Sequence, residues 1–363
     1  MSACRVLLVT KGLDIGGIER MVVDLAKGLA REGATVHVAV VNDGRDRLLG
    51  QLDQSVVTVH RLGGSDRIGW RAGWRLARLV RSSGFDVVHV HGPLPSIAAR
   101  LVPGGRPVVT TSHTPLGALR RPTRLAWRLT ARGDAATIAV SAAVAASMPA
   151  RVSARTIVIP HGLDAEAIAA ARRRVAERPH GDGEVLAVAV ASHRDAKNYP
   201  NLLHAVRAAR DRGAPLRLIA VGDGPDLERH QELARELGIG QAVVFHPPTV
   251  DVLEVIAGAD VLVGASDYEG QPLVVMEALA LGVPVVATAV GRVPELVNPS
   301  VGRVVPPGDP EALGTALAEL AADPDLRASL AANARRRADA WTLHDVASAH
   351  LALYRRLAAG GVS

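Results

Sequence analysis

The sequence predicts an α/β protein of two doubly wound parallel sheets, one in each half of the chain. Three observations carry this. Short Val-rich apolar runs alternate with longer Ala/Leu/Arg segments of helical period, the pattern of strands buried on both faces and joined by crossover helices. At 363 residues the chain is long enough for two such cores. The apolar runs also fall into two sets. Strands are expected near 5–10, 35–41, 56–59, 86–90, 107–111, 137–140 and 156–159, then near 185–191, 216–221, 242–246, 260–264, 283–287 and 303–305. Between the sets lies "DAEAIAAARRRVAERPHGDGE", polar, Arg-rich and closing on Pro and Gly, as a linker would. The expected domains are therefore 1–165 and 183–342, with a linker over 166–182 and a C-terminal helix and tail over 343–363.

Composition narrows the class. The chain is 48% hydrophobic and 21% charged, an ordinary globular balance, but only 2% aromatic, so Val, Leu and Ala must fill the cores. A single cysteine, Cys4, excludes an internal disulfide and offers no zinc-ligand spacing. "CRVLLVT" is too short for a signal-peptide core, and no stretch approaches the ~18 apolar residues of a membrane span, so a reducing cytoplasm is the expected compartment. The net charge of +6 is uneven: residues 1–163 hold 22 basic and 10 acidic side chains, and the remainder 20 and 26. The first half is the one suited to an anionic partner.

The unusual residues follow the strands. Gly16 and Gly17 come after the first, His89 and His91 end the fourth, and His113 follows the fifth. In the second half, Ser192 to Lys197 follow the first strand, Gly222 and Gly224 the next, and Glu269 the strand "ADVLVGA". Ligands of open α/β sheets bind beyond the carboxyl ends of the strands. Two such sets of ends facing each other would enclose a cleft.

The stretch "EGQPLVVMEAL" combines two features. Gly270 and Pro272 suit a turn into a helix beginning near Leu273, whose free backbone N–H groups and positive dipole end form an anion site. Glu277 then stands about one turn into an apolar helix, where its carboxylate could accept two hydrogen bonds from a ribose diol or simply tie down neighbouring backbone.

These residues resemble the E-x7-E signature of retaining glycosyltransferases with the GT-B fold, family 4 or "group 1", through Glu269 and Glu277. The resemblance runs along nearly the whole chain. "GGIERMVVDLAKGLAREG" is similar to the family's first helix, and "FDVVHVHGP" and "IAVSAAVA" to its middle landmarks. "VIPHGLD" resembles its P-N-G-V-D with His161 in place of Asn, and "VGDGPDLERHQELARELGI" and "GVPVVATAVGRVPELV" resemble its second domain. The resemblance implies two Rossmann-like domains facing a central cleft, with the C-terminal helix crossing back to the first.

The same resemblance implies residue roles. Glu269 would face the donor sugar, Glu277 would bind the nucleotide ribose, and His113 would reach the sugar. Gly16 and Gly17 would let backbone approach the diphosphate, and Gly270, Gln271, Leu273 and Val274 would present amides to it. Lys197 falls where the family has a diphosphate-binding Lys. One departure stands out: the family's G-R-x4-K reads "SHRDAK", with Ser192 in place of the Arg and Arg194 as the nearest guanidinium able to compensate. No cofactor is implied beyond the nucleotide sugar as substrate. No metal is expected either, because the nearby D-x-D, Asp323-Pro324-Asp325, lies in a polar turn away from the strand ends.

Two Arg/Trp segments account for the basic first half. Arg67, Arg71, Arg75, Arg78 and Arg81 share one helical face with Trp70 and Trp74 at its edge; Arg121, Arg124, Arg128 and Arg132 align likewise near Trp127. Such faces suit the anionic inner surface of a membrane, and otherwise are merely solvated. No aromatic stacking motif supports nucleic acid. The sequence thus reads as a metal-independent, retaining transferase of a sugar from a nucleotide diphosphate to an acceptor hydroxyl, lipid-linked if the membrane contact holds. A sugar-nucleotide epimerase or hydrolase, or a non-catalytic nucleotide-sugar-binding protein, is the alternative.

Overall fold

The structure is a computed structural model that describes residues 3–44, 46–64, 69–102, 106–176, 183–337 and 341–360. The chain divides into two compact units, Met1–Gly162 with Thr342–Ser363, and Leu163–Trp341.

In the first unit the elements run β1 (Arg5–Thr10), α1 (Gly17–Arg31), β2 (Thr35–Asn42), β3 (Val57–Gly64), α2 (Trp70–Ser82), β4 (Val87–His91) and α3 (Pro93–Arg100). They continue with β5 (Val108–Ser112), α4 (Arg121–Thr130), β6 (Ala136–Ala139), α5 (Ala142–Ala146), α6 (Ala150–Ser153) and β7 (Thr156–Val158). The seven strands pair in parallel in the order β3-β2-β1-β4-β5-β6-β7, so the winding reverses between β1 and β4. Strand β3 runs past Val59 to Gly64, and its polar "HRLGG" end is held extended by pairing with β2 across a register shift between Val40 and Asn42.

The second unit begins with α7 (Ala165–Ala176), β8 (Val185–Val190), α8 (Tyr199–Asp211), β9 (Leu216–Val221), α9 (Leu227–Glu236), β10 (Val243–His246) and α10 (Val252–Ala257). It ends with β11 (Val261–Gly264), α11 (Leu273–Leu281), β12 (Val285–Thr288), α12 (Val293–Leu296), β13 (Gly302–Val305), α13 (Pro310–Ala322) and α14 (Pro324–Arg337). Its six parallel strands take the order β10-β9-β8-β11-β12-β13, reversing between β8 and β11. Helix α15 (Leu343–Ala358) belongs to the first unit and packs on α1. The approach is close because Gly28 has no side chain: a Cβ there would lie 2.9 Å from the Ala347 Cβ.

One expectation needs correction. The stretch read as a linker over 166–182 carries α7, while 177–182 lies outside the described residues. Its Arg-rich composition masked an apolar stripe, for Ile168, Ala171 and Val175 are buried and the helix packs on α10 and α11. Trp127, beside the Arg face of α4, is core, 2% exposed beneath the Arg100 guanidinium at 4.8 Å from its ring centroid. Arg100 is itself buried with Asp134 through two 2.7 Å hydrogen bonds, and Thr110 and Thr137 donate to the same carboxylate. Among the described residues no helix is long and apolar enough to cross a membrane.

Candidate functional site

In the second unit the predicted residues gather at the carboxyl ends of β8, β11 and β12, beside the point where the winding reverses. After β8 the chain makes a short 3-10 turn, Asp195–Lys197, and Asn198 takes the left-handed conformation with φ of 45°. Asparagine tolerates this because its side chain bonds locally. Here the Asn198 Oδ1 accepts from the Asn201 N–H at 3.1 Å, capping α8, and its Nδ2 donates to Asp267 at 2.7 Å. The loops after β8 and β11 are thereby latched together, and the Asp267 N–H donates to the Ala196 carbonyl at 3.0 Å.

On that latch the Lys197 ammonium donates to Glu269 Oε1 at 2.5 Å, and the Ser266 hydroxyl donates to the same oxygen at 2.7 Å. Thr288 at the end of β12 donates to the Ser266 carbonyl at 2.6 Å. Both members of the Lys197–Glu269 pair are partly exposed, 27% and 17% at the side chain. An ammonium has three donors, so the bond to Glu269 leaves Lys197 able to meet an anion. A depression of about 520 Å³, open to solvent, is lined here by Lys197, Ser266, Glu269, Val274 and Thr288.

Helix α11 starts at the same rim. Its N-cap is Pro272, whose carbonyl accepts from the Val275 N–H at 3.2 Å, and the N–H groups of Leu273 and Val274 come too early in the helix for an intrahelical acceptor. Leu273 is buried and Val274 half-buried. Gln271 is buried, its Nε2 donating to the Met276 sulfur at 2.8 Å. Glu277 is 7% exposed inside this otherwise apolar helix. Gly270 is buried, and its carbonyl accepts from the Arg292 N–H at 3.2 Å. Gly291, with φ of 53°, lies so close that a Cβ would collide with the Glu269 carbonyl. Gly222 and Gly224 are similarly forced, one against the Ala191 carbonyl and the other against that of His193.

Among the described residues Arg194 is exposed and makes no ion pair, whereas Arg292 is half-buried, donates its Nε to Glu295 at 2.7 Å, and has a covered Nη1 without a hydrogen-bond partner. Sequence reasoning missed Arg292, Ser266 and Gly291. A signal existed for Ser266, since Ser266 and Glu269 have the S-x-x-E spacing whose side chains and backbone meet over a turn.

In the first unit His113 sits in a row of imidazoles. His91 Nδ1 lies 3.4 Å from His113 Nε2, and the His161 ring stacks on that of His113 at 5.4 Å. The His89 ring lies 4.1 Å from that of His91 and 5.5 Å from that of His350, which α15 contributes. His89 bonds Tyr354 at 2.5 Å and Thr111 at 2.7 Å. Burial first, and neighbouring imidazoles second, hold His89, His91 and His113 well below the ordinary histidine range, so these three are neutral at pH 7. Among the described residues, the buried His113 Nδ1 and His91 Nε2 have no hydrogen-bond partner. Gly16 and Gly17 begin α1 after β1; a Cβ would meet nothing at Gly17 and only the Glu19 side chain at Gly16, so packing alone does not require glycine there.

Comparison with known proteins agrees with this layout. The Glycosyltransferase Family 4 model matches residues 15–167, and the model Glycosyl transferases group 1 matches residues 171–337. The MMP alpha-(1->4)-mannosyltransferase of Mycolicibacterium hassiacum is 30% identical over 326 residues, 79% of this chain and 77% of that protein. The D-inositol 3-phosphate glycosyltransferase of Saccharomonospora viridis is 35% identical over 208 residues, 53% of this chain, and the match spans about half (48%) of that relative's length. Sucrose-phosphate synthase from Thermosynechococcus elongatus superposes with a TM-score of 0.83 at 24% identity, covering 99% of this chain and 100% of that one. Anabaena HepE, solved in complex with UDP-glucose, has a TM-score of 0.80 at 21% identity, covering 96% of this chain and 98% of that one. With matching models over both halves and a relative aligned along most of its length, the chain belongs to the family-4, group 1 glycosyltransferases, and its two parallel Rossmann-like sheets are those of the GT-B fold.

Proposed function

We propose that the chain transfers a sugar from a nucleotide diphosphate donor to an acceptor hydroxyl, with retention of anomeric configuration and without a metal. The observation that carries this is the cluster of Lys197, Ser266 and Glu269 beside the N-terminus of α11. Negative charge grows on the diphosphate as it leaves. A full cation on one side and helix amides with a positive dipole end on the other oppose that charge without reorganising. Glu277, buried within the same helix, is assigned to the ribose hydroxyls, and Glu269, fixed by two donors, to the sugar. Gly270, Gln271, Leu273 and Val274 supply the turn and its amides. In the first unit, His113 is assigned to the sugar through its unpartnered Nδ1, and Gly16 and Gly17 to backbone approach by the ligand.

Retention is proposed from the family to which the chain belongs, and the state of Glu269 bears on its route. One of its oxygens is engaged by both Lys197 and Ser266, which suits a positioned hydrogen-bond acceptor better than a free nucleophile. If configuration is kept without a covalent intermediate, the acceptor must attack from the face the diphosphate departs. The metal-free reading rests on the same chemistry: Lys197 supplies at this rim the positive charge that a divalent ion would otherwise bring.

The experiment is calorimetric titration with a panel of nucleotide sugars, followed by turnover and anomeric analysis of the product. Lys197→Met is expected to cut kcat/KM by roughly 10² to 10³, the loss on removing one preorganised donor. Glu277→Ala is expected to weaken donor binding by about 1–3 kcal/mol, as for hydrogen bonds to a charged group. Turnover is expected to survive a strong chelator. A folded Lys197→Met protein with normal turnover, or activity lost to chelator and restored by a divalent ion, overturns the corresponding part.

A further inference from the structure

Helices α2, α3 and α4 form one layer on the first unit's sheet, α3 packing against both neighbours. Their outer sides carry large apolar groups in water: Trp70 is 78% exposed, Trp74 58%, Leu125 60% and Leu129 73%, and Leu101 at the end of α3 is 69% exposed. Single exposed apolar residues need no explanation; two indoles and three leucines on one helical layer do.

The charge of this layer is as one-sided as its exposure. From residue 69 to 132 the chain holds eleven arginines, no lysine and one acid, Asp86. That one acid accepts from the Arg5 backbone N–H at 2.7 Å, at the start of β1, and leaves a large excess of positive charge. Apart from Arg100, which is committed to the buried pair with Asp134, the arginines of α2 and α4 reach the surface, Arg71, Arg78, Arg121 and Arg128 among them. Arg71 lies 5.3 Å from the centroid of the Trp70 ring and Arg78 5.7 Å from that of Trp74, so indole and guanidinium stand side by side. Arg67 lies outside the described residues.

We propose that this layer docks the protein on an anionic lipid bilayer. Trp70, Trp74, Leu125 and Leu129 enter the boundary between headgroups and acyl chains, and the flanking arginines bind lipid phosphates. An indole is suited to that depth, with an apolar body and one N–H for the wet side. The arginines add attraction that grows with the density of anionic headgroups and is screened by salt within about 8 Å at physiological ionic strength. A second copy of the chain fits less well, because a two-fold contact would bring the same arginine-rich layer against itself. A nucleic acid would satisfy the arginines but leave the leucines in water. The proposal stands independently of the transfer reaction.

The test is flotation of the full chain with vesicles of phosphatidylcholine alone and of phosphatidylcholine with phosphatidylglycerol, while tryptophan emission is recorded. Binding is expected with the anionic vesicles, weakening as salt rises, together with a blue shift as Trp70 and Trp74 leave water. Trp70→Ser with Trp74→Ser is expected to abolish the shift. Arg71→Glu with Arg128→Glu is expected to lower vesicle affinity by about tenfold or more. All four sites are exposed, so thermal melting of these variants is expected to match the parent and to exclude misfolding as the cause. Equal binding to neutral vesicles, no binding to either, unaltered binding by both variants, or preference for a duplex oligonucleotide over anionic vesicles overturns the proposal.

Discussion

At the scale of single residues, the donor site turns on how many cations face a diphosphate. Such a group carries about two negative charges, and helix amides oppose them with only partial charge. Lys197 is one full cation, and Ser192 stands where the resemblance leads one to look for a second. Arg194 was the obvious substitute by position, but its side chain is exposed and makes no ion pair among the described residues. Arg292 lies beside the Glu269 turn: its backbone N–H bonds the Gly270 carbonyl, its Nε donates to Glu295 at 2.7 Å, and its buried Nη1 lacks a partner among the described residues. A buried, unsatisfied guanidinium N–H is costly unless something occupies it for part of the cycle. Arg292→Met is therefore expected to raise KM for the donor and lower kcat/KM by about tenfold to a hundredfold, the range for a lost charged hydrogen bond. Arg194→Met is expected to change little. Steady-state kinetics of the two variants side by side decides it, and the reverse pattern would restore Arg194 as the compensating residue.

At the scale of elements, the geometry of the Glu269 turn is imposed from outside that turn. The loop after β12 presses Gly291 onto the Glu269 carbonyl, and the loop after β8 is latched to the loop after β11 through Asn198 and Asp267. Gly291 has both reasons to be glycine, a positive φ and no space for a Cβ against backbone. Gly291→Ala is expected to displace the turn that carries Glu269 and Gly270, lowering donor affinity by about tenfold or more at a stability cost of about 1–3 kcal/mol. Calorimetric titration and chemical denaturation measure both; full donor affinity in the variant would show that the turn keeps its shape unaided. The "AVGRVPE" stretch offered no local sign of this, because the conflict is with residues 22 positions earlier in the chain, Glu269 against Gly291.

For the whole molecule, the buried histidines predict acid sensitivity. His350 is 4% exposed, and burial is the main reason its pKa falls from 6.5 to about 4. His193 in the second unit falls to about 4 for the same first reason, and His89, His91 and His113 lie well below the ordinary value. The groups shifting His91 and His113 are other imidazoles, with no carboxylate to favour the charged form. In the unfolded chain each of these titrates near 6.5. Between that value and the folded pKa the unfolded state binds the extra protons, so stability rises with pH across the window and is lost as pH falls below about 6.5. Each such group adds about 1.4 kcal/mol per pH unit, which for the window of His350 comes to roughly 3 kcal/mol. Melting temperature is expected to be level from pH 8 to about 7 and to drop steeply between about 6 and 5, with a shallower drop in His350→Gln. A flat profile through that range would mean these imidazoles charge without cost in the folded protein.

The sequence by itself determined the two parallel sheets and the strand ends on which Lys197, His113 and Glu269 stand. Those features follow from local period and from turn residues, which every few positions repeat their own evidence. It also carried the family, because the motifs occur in order along the chain. Only the tertiary structure decided that α7 packs where composition suggested a linker, and that Trp127 is core. It likewise decided that Lys197 meets Glu269 across 72 positions and that α15 delivers His350 and Tyr354 to His89. The physical reason is common to all of these. Which side of a helix finds a partner, and which loops meet, depends on strand order and sheet closure, and no window of neighbouring residues records either.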